Sequence, residues 1–94
     1  MDITYKGTFA LTDKQKRKLE ETITSACADS GYNYSAEIRI FPYFEMISIK
    51  VYPPKGNHYV SFHYCDLEFI GKILGMPFAF CDLFNGGLEL TFMK

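Results

Sequence analysis

Tyr34-Ser35-Ala36-Glu37-Ile38-Arg39-Ile40-Phe41 and Phe44-Glu45-Met46-Ile47-Ser48-Ile49-Lys50-Val51-Tyr52, separated only by Pro42-Tyr43, form the stretch on which the fold turns. Both runs alternate apolar and polar residues, the period of a strand with one dry face. Pro42 lacks a backbone donor and has a fixed φ, so it favours a turn between them. The two runs therefore predict a hairpin. With Phe41 opposite Phe44, Ile38 meets Ile47, Ala36 meets Ile49 and Tyr34 meets Val51, and the apolar faces coincide.

Working downstream, Pro53-Pro54-Lys55-Gly56-Asn57 is a turn-forming cluster. His58 to Tyr64 then alternates again, and pairing Tyr52 with Tyr59 would bring Val51 to Val60, Ile49 to Phe62 and Ile47 to Tyr64. Asp66 is a candidate cap for a helix carrying Leu67, Ile70, Ile73 and Leu74, ended by Gly75 with Pro77 behind it. Phe78 to Phe84 and Leu88 to Met93 flank Asn85-Gly86-Gly87, a hairpin signal, although the first arm could equally be an irregular apolar plug. Upstream, Ile3 to Phe9 alternates as a first strand. Thr12 and Gln15 make a capping box for a helix with Leu19, Ile23, Ala26 and Cys27 on one stripe, stopping near Ser30 and Gly31.

The expected order is β-α-β-β-β-α-β, with one further strand at the end. It predicts one α+β domain over residues 1–94: an antiparallel sheet of four to six strands with both helices packed on one face, related in order to a ferredoxin-like sandwich. That architecture hosts too many activities to imply one.

With 94 residues, 48% hydrophobic and 22% charged, the chain has ordinary globular composition. Nine Phe and seven Tyr supply the density that a small core needs. A net charge of −1 provides neither a positive field for nucleic acid nor an acidic mimic of a polyanion, so any charge function must come from local patches. No apolar segment approaches the roughly 18 residues needed to span a bilayer, and the amino terminus has no basic stretch leading into an apolar run. The expectation is a soluble, cytoplasmic protein with no membrane partner. Cys27, Cys65 and Cys81 have the spacing of neither a disulfide framework nor a metal knuckle, so free, buried thiols are expected.

The hairpin register also defines the face opposite the core: Thr4, Lys6 and Thr8, then Glu37, Arg39 and Phe41, then Met46, Ser48, Lys50 and Tyr52, then Tyr59, Ser61 and His63. A solvated sheet face is the plain reading. Phe41, Met46, Tyr52 and Tyr59, with Arg39 and Lys50, are the candidate partner-binding residues, because aromatic, Met and Arg side chains anchor interfaces. A row of Glu37, Ser48 and His63 would put the hydroxyl in the middle, whereas a nucleophilic triad needs the imidazole there. His58 and His63, five apart on a strand, would point to opposite faces and could not share a metal.

Lys14, Lys16, Arg17 and Lys18 put four positive charges in five positions of the first helix, a candidate patch for an acidic surface or for phosphate. Near the helix amino end they oppose the dipole, relieved only by Asp13, Glu20 and Glu21. Part of Met76 to Phe84, or the edge strand Leu88 to Met93, could pair with a second copy to form a homodimer.

Lys55-Gly56-Asn57-His58-Tyr59-Val60-Ser61-Phe62 resembles in part the RNP1 octapeptide of RNA-recognition motifs: a basic residue, Gly, then an aromatic, Val, a spacer and an aromatic. The resemblance implies base stacking on the sheet. Asn57 stands where a stacking aromatic is expected and His58 where a small residue is expected, so no family is assigned.

The sequence holds no Gly-rich phosphate loop, metal-spaced cluster, paired-carboxylate motif or nucleophile elbow. The expectation is therefore a non-enzymatic binding protein without a cofactor, one that occludes or regulates a protein partner. Small accessory inhibitors, phage-encoded inhibitors of host defence among them, work with this little equipment. The alternative is a single-stranded nucleic-acid binder that stacks bases on Tyr52 and Tyr59, with Lys6, Arg39 and Lys50 near the phosphates.

Overall fold

The computed structural model describes residues 2–7, 11–27, 34–53, 62–84 and 87–94. Their elements are β1 (Asp2–Lys6), α1 (Asp13–Ala26), β2 (Ser35–Phe41), β3 (Met46–Tyr52), α2 (Tyr64–Leu74), β4 (Phe78–Phe84) and β5 (Gly87–Met93). The strands form one five-stranded sheet in the order β1-β2-β3-β5-β4.

The hairpin of β2 and β3 forms with a register two residues away from the expected one. Phe41 pairs with Met46, Ile40 with Ile47, Ile38 with Ile49 and Ala36 with Val51. The physical reason is a longer connection: Pro42–Phe44 makes a 3₁₀ turn, and Glu45 follows in the left-handed region at φ 46°. Because side chains alternate with period two, an even shift keeps every residue on its expected face.

The predicted all-antiparallel sheet is corrected to a mixed one, since β1 runs parallel to β2. A strand, a helix and an adjacent strand in one sheet demand a crossover that returns the chain to its starting end, which makes the pair parallel. The ferredoxin-like order is matched only in part. That fold splits its βαβ units by an intervening strand, whereas only the second crossover here, β3-α2-β4, has a strand (β5) between its ends.

The expected third strand over His58 to Tyr64 is also corrected. Phe62 and His63 are not in a strand and Tyr64 opens α2. The edge of β3 offered to that strand is taken by β5, with Ile49 against Leu90 and Ile47 against Phe92. The apolar face of β5 matches that of β3 as well as His58 to Tyr64 would have done. Residues 54–61, and with them Tyr59 and most of the RNP1-like octapeptide, lie outside the described residues.

The Phe78 to Phe84 arm is a strand, with a bulge between Phe78 and Phe80, and pairs with β5 through Cys81–Leu90 and Leu83–Leu88. The segment expected at an edge, Leu88 to Met93, is therefore internal, and the sheet's edges are β1 and β4.

Both helices cover one face. Leu19 and Ile23 of α1 and Leu67, Ile70 and Leu74 of α2 join Ala36, Ile38, Ile47, Ile49, Val51, Leu88, Leu90 and Phe92 in a single core. Each large aliphatic or aromatic side chain buried there contributes about 1.5–3 kcal/mol. Phe78 meets Phe92 edge-on at 5.6 Å, closing the core toward β4.

The capping box of α1 is present: the Thr12 hydroxyl accepts from Gln15 N–H at 3.1 Å, and Gln15 Oε1 accepts from Thr12 N–H at 2.8 Å. This helix stops at Ala26, short of the expected Ser30. In α2 the cap moves from Asp66 to His63. The Asp66 carboxylate lies one turn in and accepts from the His63 backbone N–H at 3.3 Å, the reciprocal half of a capping box. Gly75 ends α2 with φ 72°, as its sequence position implied.

Candidate functional site

The face opposite the helices is built from rows of paired residues. One row runs Thr4, Glu37, Lys50, Glu89 and Asp82 across β1, β2, β3, β5 and β4. The next runs Lys6, Arg39, Ser48, Thr91 and Phe80, and the third Phe41, Met46 and Met93.

The charges on this face balance one another. The Glu37 carboxylate accepts from the Arg39 guanidinium and lies 3.6 Å from Lys6 Nζ. The Arg39 hydrogen bond holds the Glu37 carboxyl below its ordinary range against the opposing effect of burial. Lys50 sits in register between Glu37 and Glu89. The Ser48 hydroxyl, buried beneath its neighbours, donates to Glu89 Oε2 at 2.6 Å. Lys6, Arg39 and Lys50, the cations suggested for phosphates, thus share their face with Glu37, Glu89 and Asp82.

The apolar members collect at one end. Phe41, Met46 and Met93 lie side by side, and Phe80 is diagonal to Met93 through its pairing with Thr91. The turn beside this row holds Tyr43, 97% exposed, and Phe44, 69% exposed. Phe41 and Met46 are thus brought together as expected, whereas Tyr52 is separated from them. It pairs with Ser35 at the opposite end of β3, roughly 20 Å along the strand from Met46. The sequence candidates did not include Tyr43, Phe44, Phe80 and Met93: Tyr43 was assigned to the turn, Phe44 was expected in a strand opposite Phe41 and instead lies in the 3₁₀ turn, and the strand neighbours of Phe80 and Met93 were unknown. The row of Glu37, Ser48 and His63 does not assemble: Arg39, not Glu37, faces Ser48, and His63 caps α2. Among the described residues no group of three His, Cys, Asp or Glu could hold a metal.

The basic cluster of α1 is divided by the helix into three environments. Lys16 Nζ stands 5.2 Å above the Tyr5 ring. Arg17 lines a shallow groove with Glu20 and Glu21. Lys14 and Lys18, one turn apart, face α2. It is not one uniform patch.

No described helix is long and apolar enough to cross a membrane. Comparison with protein-family models, with curated proteins and with solved structures returns no match to this chain.

Proposed function

We propose that this chain is a small non-enzymatic binding protein that occludes or regulates a protein partner, of the inhibitor or accessory type, and acts in the cytoplasm. The observation that carries this reading is the apolar row Phe41, Met46, Met93 and Phe80, continued by exposed Tyr43 and Phe44. A contiguous apolar rim beside a charge-balanced polar field is the composition of a docking surface, in which aromatic and Met anchors are desolvated and polar neighbours set orientation. All three cysteines are unpaired, which suits a reducing compartment. Inhibition of host defence by a phage product is one setting in which such occlusion would serve.

The nucleic-acid alternative draws less support. Its cations share a face with as many carboxylates, and Tyr52 lies away from the other described aromatic side chains of that face. Pairing with a second copy would use the edge of β4, where Leu83 is 84% exposed.

The test is capture from the native host by immobilised protein, with a Tyr43→Ser, Phe44→Ser double variant beside a Leu83→Ser control. Both changes lie on exposed positions, so thermal unfolding should not move. A partner retained by wild type and the control but lost with the double variant supports the reading. Equal retention by all three removes this rim as the site. Salt-sensitive binding to a random single-stranded oligonucleotide would favour the alternative.

A further inference from the structure

Beyond the sheet face, the two helices enclose a second surface. Lys14, Gln15 and Lys18 of α1 and Phe69, Lys72 and Ile73 of α2 line a groove of about 310 Å³. Its width is set by a cross-link: Gln15 Nε2 donates to the Ile73 carbonyl at 3.0 Å, holding the amino end of α1 against the carboxyl end of α2. Phe69, 49% exposed, and half-buried Ile73 give it an apolar floor. Three ammonium groups surround that floor and no carboxylate lines it.

The cations here differ from Lys6, Arg39 and Lys16. Lys6 and Arg39 are engaged by Glu37, and Lys16 by the Tyr5 ring. Lys14, Lys18 and Lys72 form no ion pair with any described residue. Three like charges gathered around exposed apolar surface oppose folding slightly and are relieved by an anionic ligand with an apolar anchor.

We propose that this groove binds an acidic segment of a protein partner, with one aliphatic or aromatic side chain seated on Phe69 and Ile73 and flanking carboxylates held by Lys14, Lys18 and Lys72. A protein segment fits better than a polynucleotide. The groove contains no arginine fork for phosphate, and its floor suits an aliphatic or aromatic anchor. This surface is distinct from the Phe41–Phe44 rim, and its fate is independent of that reading.

The probe is a fluorescein-labelled acidic peptide, acetyl-Glu-Glu-Asp-Leu-Phe-Asp-Glu-Glu-amide, titrated with the full chain at low ionic strength and followed by fluorescence anisotropy. The wild type should bind it, and physiological salt should weaken binding. The Lys14→Glu, Lys18→Glu double variant should weaken it by at least about tenfold, and Phe69→Ser should weaken it without altering the salt dependence. Charge reversal at the amino end of α1 favours the helix dipole, so the double variant should keep its fold, checked by circular dichroism. Lys94→Glu, exposed beyond the end of β5 and outside the groove, should bind as wild type does. The proposal is overturned by absence of peptide binding at low salt, by equal binding to the charge-reversed variant, or by a random oligonucleotide binding this groove in preference to the peptide.

Discussion

The Tyr5 hydroxyl donates to Glu20 Oε2 at 2.7 Å, fastening β1 to the middle of α1, while Lys16 of the same helix covers the ring. Burial first, and then the acceptor carboxylate, hold the Tyr5 hydroxyl above its ordinary pKa. The neutral form is thus favoured by the fold. Its stabilising contribution is complete below about pH 10, where the unfolded chain also keeps the proton, and is lost progressively above it. Tyr5→Phe should cost at most about 1 kcal/mol at neutral pH and flatten the alkaline fall in stability. Urea midpoints measured at several pH values above neutrality would show this; an unchanged alkaline slope would refute it.

The cysteines should separate by reactivity. Cys27 is buried at the end of α1, and burial pushes its thiol up to about 11, whereas Cys65 and Cys81, expected to be buried, are exposed in the first turn of α2 and on the edge strand β4. Since the thiolate is the nucleophile, a disulfide reagent near neutral pH should label Cys65 and Cys81 rapidly and Cys27 only when denaturant is added. Mass spectrometry of the labelled peptides distinguishes the three. Rapid labelling of Cys27 in the folded chain would contradict its placement.

Leu90 and Leu83 give a matched contrast, one 1% and the other 84% exposed. Leu90→Ala should destabilise by about 2–5 kcal/mol through lost burial and an unfilled cavity. Leu83→Ser should remain within about 0.5 kcal/mol of wild type. Thermal and urea unfolding test both.

Two glycines should respond to alanine for different reasons. Within a helix, Gly→Ala normally stabilises by about 1 kcal/mol. At Gly71, however, a Cβ would stand 2.8 Å from the Met76 carbonyl oxygen, against the chain entering β4. Gly71→Ala should therefore destabilise by about 1–3 kcal/mol. Gly75 has open space around it but φ 72°, and Gly75→Ala should cost about 1 kcal/mol in backbone strain. Conversely Glu45→Gly, relieving φ 46°, should gain up to about 1 kcal/mol.

Facing was more legible in the sequence than neighbourhood. Alternation placed Ile38, Ile47 and Ile49 on the core side and Phe41, Met46 and Arg39 on the other, and this survived a register error of two. The Thr12–Gln15 box and the Gly75 terminus were also readable, because their signals are local. What escaped was long-range choice. Any strand with the right phase satisfies β3, and nothing within His58 to Tyr64 or Leu88 to Met93 says which one wins. The lysines of α1 suggested one patch because charge was read along the chain, whereas the helix turns successive residues by about 100° and sends them to different surroundings. Nothing local in the sequence marks Phe69 and Lys72, because the groove they line exists only where α2 lies against Lys14 and Lys18 of α1.

The insertion of β5 between β3 and β4 has a consequence for biosynthesis. A nascent chain emerges amino end first, so β1, β2 and β3 can associate early while the open flank of Ile47, Ile49 and Val51 waits for Leu88, Leu90 and Phe92. Until Gly87–Met93 clears the ribosome, that flank is a sticky template for other unfinished chains, and chaperone demand should peak in this interval.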